Sequence, residues 1–167
     1  MSVNWDGSKL FKTIVLNETK VTELYRELAK EAKDGKGSKF FENMAADEAR
    51  HIKIYSAFLN NLPDQGNVEL SEEDAEYMDL LIKTNMFDDS EDTITKVRKI
   101  YTNDQVYNLA EKIEKDGILF INELVRLFPD VYAANTKEID AVMKEEKTHL
   151  SMVLNRKAES IYGSLML

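Results

Sequence analysis

The chain has 167 residues and no cysteine, so it is long enough to bury one ordinary core, while disulfides, thiolate zinc sites and cysteine-ligated iron are excluded. A net charge of −9 argues against a nucleic-acid backbone as partner, because that interaction needs a basic face. No apolar run approaches a membrane span and the opening MSVNWDGSKLFK carries no signal-peptide pattern, so a cytoplasmic protein that does not engage membranes is expected.

Pro63 and Pro129 divide the chain into helical blocks. Residues 8–34 read as a first long helix, closed by Asp34-Gly35-Lys36-Gly37. Ser38 is placed to cap a second, running to Asn61. The stretch 62–103 is too long for a structureless loop in a compact domain. Within it, Ser71-Glu72-Glu73-Asp74 reads as a helix start, with Tyr77, Met78, Leu80 and Leu81 as apolar positions behind it. Thr93 to Tyr101 fits helix or extended chain equally. A third long helix fits 104–128, capped by Thr102 or Asn103 and stopped by Pro129. A fourth fits 135–161, where Asn135 and Glu138 have capping-box spacing. Two helical hairpins, 8–61 and 104–161, joined by a crossover over 62–103 predict a single all-α domain, a four-helix bundle spanning 1–167.

The stripes that face the core share one pattern. The first helix carries Phe11, Ile14, Glu18, Val21, Tyr25, Leu28 and Ala32; the second carries Phe41, Met44, Glu48, His51, Tyr55, Phe58 and Leu62. The third carries Tyr107, Ala110, Glu114, Gly117, Ile121, Leu124 and Phe128; the fourth carries Ile139, Val142, Glu146, His149 and Val153. Each is apolar except at its middle, where it holds Glu, or Glu followed by His.

A buried carboxylate alone is costly, and no Lys or Arg occupies these stripes to neutralise it. Two divalent cations would supply the missing charge, four carboxylates against two metal(II) ions with both histidines neutral. Residues three apart on a helix share a face, so Glu48-Ala49-Arg50-His51 and Glu146-Lys147-Thr148-His149 can each grip a metal. They contain the only two histidines of the chain. Glu18 precedes Glu48 by 30 residues and Glu114 precedes Glu146 by 32, a repeat that implies a pseudo-twofold arrangement about a shared centre. A carboxylate-rich set with imidazole suits iron or manganese, with zinc an alternative.

One Glu, then Glu-x-x-His, twice over resembles the ferritin-like di-iron carboxylate proteins and, among them, the rubrerythrins. The resemblance covers residues 11 to about 155. It implies a ferritin-like bundle with a long crossover between the second and third helices, two iron ions, and ligands Glu18, Glu48, His51, Glu114, Glu146 and His149. Asp47-Glu48-Ala49-Arg50-His51 is similar to the Asp-Glu-x-Arg-His form of di-iron oxygenases. By that likeness Asp47 accepts from His149 and Glu145 from His51, the alternative being surface acids. Tyr25 is similar to a tyrosine that rubrerythrins place beside the metals, or is plain core. Glu111, three residues before Glu114, is a candidate seventh ligand or a solvated side chain. Gly117 either opens space above the metals or, the preferred reading, lets helices pack closely.

Two departures concern electron flow: the chain lacks the Cys-x-x-Cys pairs of a rubredoxin-like relay, and Ile121 stands where Tyr25 has its counterpart. The resemblance implies redox chemistry on hydrogen peroxide or dioxygen, with electrons from an external donor protein, in a homo-oligomer. Rival readings are iron oxidation for storage, oxygenation of an organic substrate, and a non-catalytic metal-binding module.

Overall fold

The computed structural model describes residues 1–32, 35–85, 87 and 103–165. Four long helices form the bundle: α1 (Ser8–Glu31), α2 (Gly35–Asn60), α4 (Asn103–Leu127) and α6 (Thr136–Leu165). Among the described residues, two short helices, α3 (Glu72–Lys83) and α5 (Pro129–Ala134), lie in the connections. Helix α1 packs chiefly on α2 and α4 on α6, as two antiparallel hairpins. None of the described helices is long and apolar enough to cross a membrane.

The helix ends depart from expectation in instructive ways. Helix α1 stops at Glu31, where Ala32 turns extended and its N–H bonds Leu28 O. Helix α2 already starts at Gly35, so Ser38 lies inside its first turn and is not its cap. Glycine lowers helix propensity without forbidding helical angles, and Gly35 and Gly37 therefore extend the helix instead of ending its predecessor. Asn135 makes no capping box. Its side-chain amide donates to Val131 O, and its own carbonyl accepts from Ile139 N, so it joins α5 to α6. Pro129 does end α4, and serves at once as the first residue of α5.

The crossover begins with a tight reversal at Pro63–Gly66, in which Asp64, Gln65 and Gly66 all have positive φ. Gly66 is needed there: its φ is +84°, and a Cβ would come within 3.0 Å of Ser8 N. The chain then forms β2 (Asn67–Ser71), antiparallel to an N-terminal β1 (Ser2–Asp6) with Trp5 opposite Val68. This ribbon has no local signal in the sequence, since its halves are short and far apart. Trp5 is buried beneath it and donates from Nε1 to Asp79 Oδ1, which fastens α3 to the N-terminus. Ser71 caps α3 by accepting from Asp74 N. Met78 is buried, but Tyr77 and Leu80 face solvent. The expectation for Thr93 to Tyr101 lies outside the described residues.

The core is split in two. One apolar cluster takes Leu10, Phe11 and Ile14 from α1, Tyr55 and Phe58 from α2, Ile121 and Leu124 from α4, and Ile139 and Val142 from α6. The other takes Val21, Leu24 and Leu28, then Phe41 and Met44, then Ala110 and Ile113, then Val153. On every long helix the segment between them carries the stripe glutamates and histidines. The apolar halves hold the four helices in register and leave a polar layer between them.

Candidate metal centre

Within that layer, Glu18, Glu48, His51, Glu114, Glu146 and His149 converge, each no more than 6% exposed. They form two overlapping groups. Ligand atoms of Glu18, Glu48, His51 and Glu146 lie within 4.8 Å of one another, and so do those of Glu48, Glu114, Glu146 and His149. Glu48 and Glu146 belong to both groups. Glu18 pairs with His51 on one side, and Glu114 with His149 on the other, so the repeat in sequence becomes a pseudo-twofold in space.

The two imidazoles present the same edge inward. His51 Nδ1 lies 3.0 Å from Glu146 Oε1, 3.1 Å from Glu48 Oε2 and 3.7 Å from Glu18 Oε2. His149 Nδ1 lies 3.1 Å from Glu48 Oε1 and 3.5 Å from Glu114 Oε2. The outward nitrogens meet acids: His51 Nε2 is 2.9 Å from Glu145 Oε2, and His149 Nε2 is 3.1 Å from Asp47 Oδ2. A proton on each Nε2 is thereby held outward, leaving an Nδ1 lone pair directed at carboxylates. Arg50 had no role assigned from sequence. Its guanidinium bonds Asp47 Oδ1 at 2.6 Å and Glu145 at 3.1–3.2 Å, tying both outer acids together across α2 and α6.

Such an arrangement demands a cation. Glu48 Oε1, Glu114 Oε2, Glu146 Oε1 and His149 Nδ1 are buried without a hydrogen-bond partner, although His149 Nδ1 lies 3.1 Å from Glu48 Oε1 and His51 Nδ1 3.0 Å from Glu146 Oε1. Bare acceptors facing one another at van der Waals distance are unstable unless positive charge sits among them. With protons alone in that role, burial followed by repulsion from Glu48 raises Glu18 and Glu146, the latter to about 8. Glu114 is raised by burial, against the lowering influence of the neighbouring His149. Burial opposes charge on His149, but Glu114 and Glu48 prevail and lift it to about 11; His51 is raised likewise. Glu48 is lowered, its burial outweighed by both histidines. Metal ions are an alternative source of the same positive charge, and four carboxylates with two imidazole nitrogens form a donor set that fits two of them.

Tyr25 is wholly buried beside the centre and donates its hydroxyl to Glu114 Oε1. Burial and the Glu114 charge hold its pKa well above the ordinary tyrosine value, so Oη keeps its proton. Tyr55, on the opposite cluster, is raised by burial and by Glu18 in the same sense. Glu111 is not brought to the centre. Lys115 and Lys157 each bond it at 2.6 Å, and it faces outward on α4. Two free ammonium groups at the surface outcompete a cavity already filled with carboxylates.

Gly117 lines a cavity of about 20 Å³ together with Glu18, Glu48 and Glu146. A Cβ at position 117 would meet Glu146 Oε2 at 3.0 Å and Glu146 Cδ at 3.5 Å, and among the described residues nothing else outside its own helix lies within 4 Å. The preferred expectation of close helix packing therefore gives way: among the described residues, no neighbouring helix backbone comes within 4 Å of that Cβ position. What occupies the place of its missing side chain is a carboxylate of the centre. Mid-helix glycine costs about 1 kcal/mol relative to alanine. Room for the Glu146 carboxylate accounts for that cost.

In fold, the chain is similar to a protein from Thermotoga maritima described as ferritin-like and diiron-carboxylate. The TM-score is 0.73 at 24% identity, over 94% of this chain and 97% of the other. No curated protein matches the chain in sequence. The model of the rubrerythrin family matches residues 13–157, a span that begins just before Glu18 and ends just after His149, and the chain belongs to the rubrerythrin family.

Proposed function

We propose that the six buried residues bind two iron ions and that the loaded centre reduces hydrogen peroxide or dioxygen, with electrons returned by a donor outside this chain. Glu18 and His51 would serve one ion, Glu114 and His149 the other, with Glu48 and Glu146 shared, following the two overlapping groups. Iron ions held there would supply the two electrons with which hydrogen peroxide and two protons give two waters, the O–O bond being cleaved.

The chain's own residues do the rest. Asp47 and Glu145 hold the imidazoles by Nε2 and keep Nδ1 available. Tyr25 Oη keeps its proton against Glu114 Oε1 and fixes that carboxylate so that Oε2 faces the centre. The apolar clusters on either side exclude bulk water. No cysteine is present to relay electrons, which is why the donor is placed outside this chain.

The observation that carries the reading is the small cavity against Glu18, Glu48 and Glu146. Its enclosed part, about 20 Å³, is on the scale of a water molecule and is lined by three carboxylates of the centre, which fits a small oxidant. This favours a small oxidant over oxygenation. The test is anaerobic loading with Fe(II), then stopped-flow oxidation by peroxide and by dioxygen separately. Oxidation of both ions by one equivalent of peroxide, faster than by dioxygen, supports the peroxidase form; the reverse order favours iron oxidation. Loaded protein inert to both refutes the redox reading.

A further inference from the structure

The cavity beside the centre has lining residues that the proposed reaction does not use. Asn17 on α1 and Asn85, just beyond α3, face each other in a reciprocal amide pair. Asn17 Nδ2 donates to Asn85 Oδ1 at 3.0 Å, and Asn85 Nδ2 donates to Asn17 Oδ1 at 2.6 Å. Asn85 Nδ2 also donates to Phe87 O at 2.8 Å, which fixes the amide's orientation. Both asparagines are half-buried and line the same cavity as Glu18 and Glu146, which lie fully inside. Gly117 lines it from α4.

We propose that the Asn17–Asn85 amide pair and Gly117 set a size limit on what reaches the carboxylate–histidine layer, passing hydrogen peroxide and dioxygen and excluding alkyl hydroperoxides. This rests on the reading that a small oxidant is the substrate. The pair is suited to the task because two mutual hydrogen bonds, buttressed by Phe87 O, fix both amides in the cavity's lining. Asn17 immediately precedes Glu18 in α1, so the amide pair and the centre share one helix. Gly117 contributes to the same lining from α4. Any side chain there would occupy the space and press on Glu146 Oε2.

The amide pair and Gly117 make separate predictions. In parent protein loaded anaerobically with Fe(II), tert-butyl hydroperoxide should oxidise the centre far more slowly than hydrogen peroxide. Asn85→Ala, and independently Asn17→Ala, should raise the ratio of the tert-butyl to the hydrogen peroxide rate by roughly 10–200-fold, the scale on which a pocket discriminates by volume. Iron content and helicity should stay at parent levels. The second readout uses nitric oxide, a neutral diatomic that associates with Fe(II) without turnover and is followed by absorbance. Gly117→Ala should slow its association about tenfold, similar to the loss from one added methyl in a filled pocket.

Parent protein that reacts equally fast with both peroxides overturns the size limit. So does an unchanged ratio in both asparagine variants. For Gly117, nitric oxide association at the parent rate, or loss of iron from Gly117→Ala, overturns its part, the latter because the residue then acts through Glu146 alone. If the parent is inert to peroxides and dioxygen, yet nitric oxide association slows in Gly117→Ala and quickens in Asn85→Ala, the passage stands and the redox reading falls.

Discussion

His149 Nε2 lies 3.1 Å from Asp47 Oδ2, so the histidine of the second motif is oriented by the acid that precedes the glutamate of the first. The reverse pairing joins His51 to Glu145, and Arg50 spans both acids. Each hairpin thus orients the other's histidine. Loss of the Asp47 charge leaves at most a neutral amide oxygen to accept from His149 Nε2, which holds that proton less firmly than a carboxylate. Asp47→Asn should retain helicity and lose metal affinity by roughly 10–100-fold, the scale of an outer hydrogen-bond partner at a metal site. Chelator competition on parent and variant measures it. Equal affinity would remove Asp47 from the function of the centre.

Because Glu48 and Glu146 belong to both groups, substitutions should not be equivalent. Glu48→Ala with Glu146→Ala should abolish loading and leave the chain folded, since buried acids and their need for counter-charge go together. Glu18→Ala touches one group only and should lower the content from about two metals per chain towards one, given one ion per four-residue group. Elemental analysis after anaerobic Fe(II) loading reads both. A parent that holds one metal or fewer contradicts the arrangement.

Glu111 tests the opposite kind of claim. Paired with Lys115 and Lys157, it contributes nothing to the buried layer. Glu111→Gln should leave iron stoichiometry and affinity unchanged, and any stability loss should stay below about 1 kcal/mol, as for exposed ion pairs. A tenfold loss of iron affinity would mean that the side chain leaves its lysines to reach the metals.

The centre was legible because it contradicts core physics: glutamate at the middle of four apolar stripes has few structural explanations. The same stripes placed both halves of the core. What eluded sequence is what depends on chain segments meeting from afar. Trp5 and Val68 lie in strands too short to show period-two patterning, and only the tight turn at Asp64–Gly66 brings β2 beside β1. Asn17 and Asn85 are unremarkable polar residues until α1 and the end of α3 face each other. The same cause misplaced Gly117, since mid-helix glycine permits either close packing or a cavity and only the neighbour decides. Ser38 and Asn135 failed as caps for a local reason: capping residues are also tolerated in first turns and hinges.

Metal-free protein should become more stable as pH falls from about 9 towards 5.5, against the usual acid trend. Burial and Glu48 raise Glu146 from 4.5 to about 8, and Glu18 and Glu114 are raised in the same direction. Between 4.5 and about 8 the folded state therefore holds a proton on Glu146 that the unfolded chain lacks. Stability must grow as pH falls through that window. His149 acts in the same sense: raised from 6.5 to about 11, its contribution is complete below 6.5 and lost as pH climbs through about 11. Glu48 is lowered from 4.5, so its contribution is present above that value and lost as pH falls below it. Denaturant midpoints of the metal-free chain should thus rise on acidification by an amount on the order of 1 kcal/mol per pH unit, then turn down below about pH 4.5. Loaded protein should run the other way over the same range, because protons then compete with metal for the same atoms. Metal-free midpoints that fall steadily from pH 8 to 5.5 would show that these buried carboxylates do not hold the extra protons.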